Sequence, residues 1–269
     1  MVEQALQTND PPGPTSGILS QPPSAQTAPW TPHTVLSTLP DPPAPHTSSP
    51  LPFLHVLSRL KTTKREGWRR FGIAHGESIA DHMYRMSILT MLAPAPLASG
   101  LNIPRCTQMA LVHDMAESLV GDITPVDGVL KVEKSRRETA TMSYLCGDLL
   151  GKVGGGVAGE EMRAVWQEYE DGETLEARFV HDVDKMELLL QMMEYERAAQ
   201  GTLDLGEFAW VATRIELPEV RAWCEELLKE RDEFWRGVGR TPGGGQEVGA
   251  EKEAQHVEYY GNGNATNGA

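Results

Sequence analysis

The chain has 269 residues, of which 24 are Lys or Arg and 38 are Asp or Glu, so its formal net charge is −14. This charge argues against a protein that coats duplex DNA or an anionic membrane surface, because such surfaces attract cationic partners. The sequence contains no run of about 18 apolar residues, the length that a transmembrane helix needs, and so predicts no membrane span.

The first fifty residues differ in composition from the rest of the chain. They hold 12 of the 19 prolines and contain neither Lys nor Arg. A segment so poor in large apolar side chains cannot bury enough surface to offset its ordering entropy, so we expect residues 1–50 to form a disordered Pro-rich arm. The Gly-, Asn- and Glu-rich residues 241–269 predict a disordered tail. Residues 51–240 remain as one domain.

The sequence shows none of the usual features of an export signal. Residues 1–50 lack the arginines of a mitochondrial transit peptide and the charged start and apolar stretch of a secretory signal. The three cysteines, Cys106, Cys146 and Cys224, fit neither a zinc-binding spacing nor a disulfide framework. We therefore expect an intracellular protein, cytoplasmic, nuclear or both, with reduced cysteines packed in its core.

The domain begins with three segments of helical periodicity. Leucines at three-residue spacing indicate a first helix around Leu54, and a stripe from Ile79 to Thr90 indicates a second. Pro104 is well placed in the first turn of a third helix, which we expect to run as far as Gly121.

The second half of the domain is also predicted to be helical. Residues 133–150 predict a fourth helix, and the five glycines within 151–160 predict a flexible connection after it. Three further helices are expected over 160–170, 175–199 and 218–235, the last one starting at a proline. No alternation of apolar and polar residues long enough for a β-strand is present, so the predicted class is all-α.

Histidines and acids interrupt these apolar helices at three places. Asp81 and His82 lie in the second predicted helix, His113 and Asp114 in the third, and Asp184 in a largely apolar stretch further on. Burying a carboxylate is costly unless it is paired or bound to a metal. Imidazole and carboxylate together suit a divalent cation such as Mn²⁺, Co²⁺, Fe²⁺ or Zn²⁺, so the pattern predicts a metal site built from three helices.

These residues belong to an ordered set of longer motifs. The set comprises KREGW at 64–68, ESIADHMYRM at 77–86, ALVHDMAE at 110–117, VGDITP at 120–125, EKSRRE at 133–138, VDKMELLLQ at 183–191 and EYE at 194–196. In this order the motifs resemble the HD-domain metal-dependent phosphohydrolases, specifically the 5′-deoxynucleotidase branch of HD domain-containing protein 2. The resemblance spans residues 51–236 and implies an HD-domain helical bundle.

The resemblance also implies which residues hold the metal. His82, His113, Asp114 and Asp184 would bind a divalent cation, Mn²⁺, Co²⁺ or Mg²⁺, with Fe²⁺ and Zn²⁺ as further candidates. Asp182 is an alternative to Asp184 because it lies only two positions away. The register of the motif favours Asp184, and Asp182 would point about 200° away on a helix.

Glu117 is the implied catalytic residue. It follows His113 by four positions and Asp114 by three, so all three would share one face of a continuous helix. The resemblance implies that its carboxylate acts as general acid and base. It also implies that Asp122 faces the substrate, and that Glu117, Asp122 and the backbone of Ile123 hold a second cation.

A basic and aromatic cluster precedes the first histidine motif. The resemblance implies that an arginine meets the substrate phosphate, where the bidentate guanidinium is well suited. We choose Arg65 for this role, while Arg69 and Arg70 remain alternatives. Trp68 would crowd the 2′ position of the sugar and so favour deoxyribose.

Two other histidines are predicted to lie outside the site. His75 lies in a Gly-flanked turn and is expected in a surface loop. His181 precedes an aspartate, but the Glu and Gly-Asp continuation of the motif is missing there. We therefore expect His181 on a helix surface.

The predicted activity is hydrolysis of 2′-deoxyribonucleoside 5′-monophosphates to a deoxynucleoside and phosphate, by a homodimer without nucleic-acid or membrane partners. An HD-superfamily phosphodiesterase or nucleoside triphosphate phosphohydrolase is an alternative, although such enzymes usually carry extra histidine ligands or basic residues. A further alternative is a catalytically silent metal-binding scaffold that recruits partners through its Pro-rich arm.

Overall fold

A computed structural model describes residues 29–242 of the chain, which form a helical bundle. The α-helices are α1 (Pro32–Leu36), α2 (Leu51–Leu57), α3 (Glu66–Arg69), α4 (Ile79–Met91), α5 (Ala95–Ala98), α6 (Ile103–Val112), α7 (Glu117–Val120), α8 (Lys131–Ser143), α9 (Val157–Asp171), α10 (Leu175–Ala198) and α11 (Pro218–Gly237). Tighter 3-10 turns cover Ser58–Lys61, Pro125–Asp127, Val153–Gly156 and Gly206–Arg214, and a π-helical turn covers Tyr144–Leu149. Residues 29–242 contain no β-strand, only a single bridge between Lys64 and Ser78, which confirms the all-α class.

Helix α10 lies at the centre of the bundle. It packs against α4, α6, α9 and α11, and it is apolar on several sides, with Phe179, Val183 and Leu189 completely buried. A helix that is surrounded in this way needs apolar residues around most of its circumference. The arrangement brings α4, α6 and α10 together, and the predicted metal ligands lie on α4, on α10 and in the turn that follows α6.

The third predicted helix is broken in the middle, so the expectation of one helix from Pro104 to Gly121 is wrong. Helix α6 ends at Val112 and α7 begins at Glu117, with a tight turn between them. The Trp166 indole N–H donates to the His113 carbonyl (3.1 Å), and the Arg59 Nε donates to the Ser118 carbonyl (2.5 Å). Side chains from distant elements therefore bind carbonyl groups in and just after the turn.

The glycine-rich segment 151–160 is a connection between helical elements over residues 151–156, but its last four residues belong to α9, so the connection is shorter than predicted. Residues Val153–Gly156 form a 3-10 turn, and α9 begins directly after it at Val157. A Cβ atom added to Gly159 would lie 2.4 Å from the Cys146 carbonyl oxygen. Glycine at this position therefore allows α9 to pack directly on the backbone of the π-helical turn.

Part of the predicted disordered arm has a defined place in the fold. Residues 29–50 include α1, which packs against α7 and α8, and Leu36 is buried in the main core. The Trp30 carbonyl also accepts a hydrogen bond from Arg136 Nη2 (2.8 Å). These contacts explain why this stretch differs from the expectation. Residues 1–28 and 243–269, which hold the rest of the arm and nearly all of the tail, lie outside the described part.

The cysteines and the membrane prediction can be compared directly with the structure. Cys106, Cys146 and Cys224 are free and buried among apolar side chains, which confirms that they are packed core thiols. Within residues 29–242, no helix combines the length and the hydrophobicity that crossing a bilayer would require.

Candidate metal centre and active site

The first histidine of the site is placed by a well-capped helix. The Ser78 side chain accepts a hydrogen bond from the Asp81 N–H (3.1 Å), and the Asp81 carboxylate accepts one from the Ser78 N–H (2.8 Å). This reciprocal capping box fixes the start of α4. His82 follows directly and is completely buried. Asp81 is therefore a capping residue, and His82 is the residue that faces the interior.

Two imidazoles and two carboxylates converge between α4, α10 and the turn that joins α6 to α7. His82 Nε2 lies 3.1 Å from Asp184 Oδ1 and 3.9 Å from Asp114 Oδ2. The same Asp114 oxygen lies 3.2 Å from His113 Nε2. His113 is oriented by its other nitrogen, Nδ1, which contacts the Ala110 carbonyl at 3.0 Å. Both Nε2 atoms therefore point into one small space.

The donor set fits a divalent cation. His82 Nε2 and His113 Nε2 are buried and make no hydrogen bond, although buried polar atoms normally have a partner. Among the described residues, ligand atoms of His82, His113 and Asp184 all lie within 4.8 Å of one another. Unpaired imidazole nitrogens beside carboxylates are suitable ligands for a transition metal. Asp114 lies at the edge of this group.

The charges around the space are unusual for a buried site. Burial opposes ionisation of Asp184, but the neighbouring His82 imidazole, whose Nε2 lies 3.1 Å away, holds the pKa of this carboxyl well below its ordinary value. Burial and Arg65 act to lower the pKa of His82, and Glu187 and Asp184 raise it to about 10. The carboxylates therefore dominate the local field, and such a field attracts a cation.

Glu117 lies at the start of α7 rather than on a shared helix face with His113 and Asp114, so that geometric expectation is wrong. The turn still brings Glu117 to the site, where it is 2% exposed and one carboxylate oxygen has no hydrogen-bond partner. Burial, together with Asp114 and Asp122, raises the pKa of Glu117 well above its ordinary value. A raised pKa makes this carboxyl easier to protonate than an exposed glutamate.

The three candidate arginines have different surroundings. Arg65 Nη1 lies 3.2 Å from Asp114 Oδ2, and the Arg65 side chain is only 16% exposed. Arg69 pairs with Glu66 on the exposed face of α3, at 2.9 Å. Arg70 also lies outside, where it pairs with Glu207. Of the three, Arg65 is the one that the structure places beside the predicted metal ligands.

The remaining predicted residues line or support the same region. Trp68 is 2% exposed, and its indole N–H donates to Glu77 Oε1 (2.8 Å). Its ring is therefore packed in the protein interior and not on an open surface. Asp122 Oδ2 accepts from the Glu66 N–H (2.6 Å) at the start of α3. Ile123 is nearly buried beside Asp122.

The geometry agrees with the comparisons to known proteins. Residues 57–221 match the HD domain family. The chain belongs to the HD domain family. The 5′-deoxynucleotidase hdd1 of Schizosaccharomyces pombe is 48% identical to this HD-domain protein over 188 residues, which cover 70% of this chain and 93% of hdd1. The 5′-deoxynucleotidase HDDC2 of Homo sapiens is 38% identical over 182 residues, covering 67% of this chain and 85% of HDDC2.

A solved structure supports the same assignment. The HD domain-containing protein YGK1 superposes with a TM-score of 0.57 and 34% sequence identity, covering 77% of this chain and 100% of that chain. The predicted family resemblance and the HD-domain fold are thereby confirmed.

The HD domain uses its two neighbouring aspartates on α10 differently. Asp184 faces His82, as described above, whereas Asp182 is 1% exposed and accepts hydrogen bonds from the backbone N–H groups of Glu216 (3.0 Å) and Leu217 (2.6 Å). Asp182 therefore supports the chain just before α11.

The two other histidines of the HD domain also differ from each other. His75 is exposed in its loop, as expected. His181 is half-buried, so its predicted position on a helix surface is wrong. Its ring lies against Tyr169 (centroids 4.0 Å apart), and its Nε2 contacts the Tyr169 carbonyl at 2.9 Å.

Three residues of the HD-domain site were not predicted from the sequence. Glu187 lies 2.5 Å from His82 Nδ1, and Arg85 binds Glu187. Tyr169 packs against His113 (ring centroids 5.0 Å apart), and its hydroxyl donates to Asp184 Oδ2 (3.4 Å). Glu187 had a usable signal, an acid within the apolar run that follows Asp184. Tyr169 had none, because its helix comes close to the site only in the folded chain.

Proposed function

We propose that this HD-domain protein is a metal-dependent 5′-deoxynucleotidase, which hydrolyses 2′-deoxyribonucleoside 5′-monophosphates to a deoxynucleoside and phosphate. The observation that carries the proposal is the convergence of two imidazoles and two carboxylates beside a buried arginine and a protonatable glutamate. The names of its relatives from S. pombe and H. sapiens support the same activity and substrate class.

In the proposed site, His82, His113, Asp114 and Asp184 hold one divalent cation. When bound, such a cation polarises a phosphate oxygen and lowers the pKa of a water molecule. Mn²⁺, Co²⁺ and Mg²⁺ are the first candidates, and Fe²⁺ and Zn²⁺ also suit the ligands.

Arg65 and Glu117 carry the remaining chemistry in this proposal. Arg65 binds the phosphoryl group and offsets the negative charge that grows on its oxygens during in-line attack by water. Glu117 accepts the proton that the attacking water loses and returns it to the leaving 5′ oxygen of the nucleoside. The products are a neutral deoxynucleoside hydroxyl and inorganic phosphate, without a covalent enzyme intermediate.

A second cation and the sugar contacts are further parts of the proposal. The free carboxylate oxygen of Glu117 supports a second divalent ion bound by Glu117, Asp122 and the Ile123 backbone. Asp122 Oδ2 accepts a hydrogen bond from the Glu66 N–H. This bond would orient the carboxylate so that Oδ1 can bind an ion or the substrate. Trp68, held by its hydrogen bond to Glu77, would leave too little space for a hydroxyl group at the 2′ position of the sugar.

The activity can be tested with the purified full-length chain. We expect phosphate release from deoxynucleoside monophosphates to stop after chelation and to return when a single divalent metal is added. His113→Ala should reduce kcat/KM by about 10³-fold or more, because it removes a metal ligand. If no monophosphate gives metal-dependent phosphate release, the protein is not a nucleotidase.

Sugar preference provides a separate prediction. Trp68→Phe keeps an aromatic ring but makes the side chain smaller and removes the hydrogen bond to Glu77. We expect the ratio of kcat/KM for deoxynucleotide over ribonucleotide to fall, mainly because the ribonucleotide improves. Phe71→Leu is the control, since Phe71 packs on the same Phe208 ring as Trp68 but its side chain cannot donate a hydrogen bond to Glu77. An unchanged ratio in Trp68→Phe would show that Trp68 does not determine the sugar preference.

We also propose an intracellular homodimer that acts on small molecules rather than nucleic-acid polymers. The three free cysteines support a reducing compartment. Tyr84, Ile88 and Met91 on α4, together with Leu92 directly after it, form an exposed apolar stripe, which is suited to burial against a second copy. A molar mass of two chains by light scattering would support the dimer, and a mass of one chain would exclude it.

A further inference from the structure

Glu187 is a buried carboxylate whose two oxygens are both used. Its Oε2 lies 2.5 Å from His82 Nδ1, and its Oε1 accepts hydrogen bonds from Arg85 Nε (2.8 Å) and pairs with Arg85 Nη2 (2.7 Å). Glu187 is completely buried, so the arginine is needed to keep it ionised. An ionised carboxylate only accepts hydrogen bonds, and His82 Nδ1 must therefore carry the proton.

The same spacing on two helices creates this arrangement. His82 and Arg85 are three residues apart on α4, and Asp184 and Glu187 are three residues apart on α10. Side chains with this spacing share a helix face. The His82 ring therefore lies between two carboxylates, with Nε2 toward Asp184 (3.1 Å) and Nδ1 toward Glu187 (2.5 Å).

Arg85 is held on its far side as well. Its Nη1 donates to Glu194 (2.7 Å) and its Nη2 donates to Gln191 (2.7 Å), both on the same face of α10 as Glu187. The guanidinium thus binds three side chains of one helix. The other acid near His82, Glu77, has one oxygen bound by the Trp68 indole N–H, so Glu187 is the direct partner of the imidazole.

We infer that Glu187 and Arg85 are positioning residues for the metal centre, which fix His82 in the tautomer whose Nε2 lone pair faces the cation. The inference deepens the metal site of the proposed function and rests on it. A carboxylate that accepts a hydrogen bond from the second nitrogen of a ligating histidine orients the ring and increases its basicity. Here that nitrogen is Nδ1, and Arg85 keeps the carboxylate charged.

Metal binding by the chelator-treated full-length protein is the first test of this role, and it needs no nucleotide. MnCl2 or CoCl2 is titrated calorimetrically into wild type and Glu187→Gln. The glutamine amide can donate to Nδ1 and so permit the wrong tautomer, and we expect the metal Kd to rise about 10- to 100-fold. Activity lost at limiting metal should return at high metal, which general damage to the fold would not produce.

A matched control and a second variant complete the experiment. Glu194→Gln changes an outer, 53% exposed partner of the same arginine and should leave the metal Kd within about twofold of wild type. Arg85→Lys keeps the charge but cannot place two nitrogens against Glu187 Oε1, so we expect an intermediate Kd.

The possible outcomes separate this inference from the proposed activity. A folded Glu187→Gln protein that binds metal as tightly as wild type would overturn the role of Glu187. If Glu187→Gln does not fold, the metal Kd of Arg85→Lys is the deciding measurement. A Kd equal to that of wild type would then overturn the positioning role. A wild type that binds no metal would overturn the inference together with the metal centre. Metal binding without phosphate release would overturn only the nucleotidase.

Discussion

At the scale of single residues, Asp182 and Asp184 show how two positions on one helix acquire different roles. Asp184 faces His82 at 3.1 Å, whereas Asp182 accepts the backbone N–H groups of Glu216 and Leu217. The separation follows from helix geometry, since two residues apart means opposite sides of α10. One aspartate is placed for chemistry, and the other holds the start of α11.

Alanine substitutions at these two positions should therefore affect different properties, stability at Asp182 and metal binding at Asp184. Asp182→Ala leaves two backbone N–H groups without partners and should lower the free energy of unfolding by about 2 kcal/mol. Asp184→Ala should change the stability of the chelator-treated protein less, because it removes one acid from a crowded anionic site, but it should greatly weaken metal binding.

Urea denaturation and metal titration of both variants measure the two effects. The assignment would be wrong if Asp182→Ala lost metal affinity with normal stability. It would also be wrong if Asp184→Ala bound metal like wild type.

At the scale of elements, the approach of α9 to the π-helical turn depends on a missing side chain. The Cβ of an alanine at 159 would lie 2.4 Å from the Cys146 carbonyl oxygen, a contact with rigid backbone. An added Cβ at Gly147, in the π-helical turn itself, would meet nothing within 4 Å. The two glycines are close in sequence but differ completely in available space.

Gly159→Ala should therefore lower the free energy of unfolding by about 1–3 kcal/mol, because α9 must move away from the turn. Gly147→Ala should be neutral or stabilising by about 0.5–1 kcal/mol, because alanine favours helical backbone. Chemical denaturation of the two variants gives the comparison. Equal stabilities would contradict the close packing described for α9.

The elements also show what the sequence could and could not predict. The helical periodicity and the ordered motifs placed His82, His113 and Asp184 on three separate predicted helices, and the structure brings these residues together. The break after Val112 could not be predicted. It involves hydrogen bonds from Trp166 and Arg59, which are 53 and 59 residues away from their acceptors in sequence. Local patterns contain no information about such distant donors.

At the scale of the whole molecule, the half-buried His181 links stability to pH. Burial, together with Lys185, lowers the pKa of His181 to about 4, compared with about 6.5 in an unfolded chain. As the pH falls from about 6.5 to about 4, the unfolded chain takes up a proton that the folded chain does not. The free energy of unfolding must therefore decrease over this range, by up to about 1.4 kcal/mol per pH unit.

His181→Gln should remove this contribution and make the decline with falling pH less steep. Urea midpoints at several pH values between 7.5 and 4.5, measured with chelator present, give the two slopes. His75→Gln is the control, because His75 is exposed and should leave the slope of wild type. Identical slopes for wild type and His181→Gln would show that His181 titrates normally in the fold.

The packing of α1 has a practical consequence for trimming the protein. The family match begins at residue 57, and a sequence-based boundary would fall near residue 51, yet Leu36 is part of the main core. A fragment cut at either point would uncover apolar surface on α7 and α8, and α7 carries Glu117. Shortened versions for crystallisation or assay should therefore keep the chain from about residue 29 onward, or they risk aggregation and a disturbed active site.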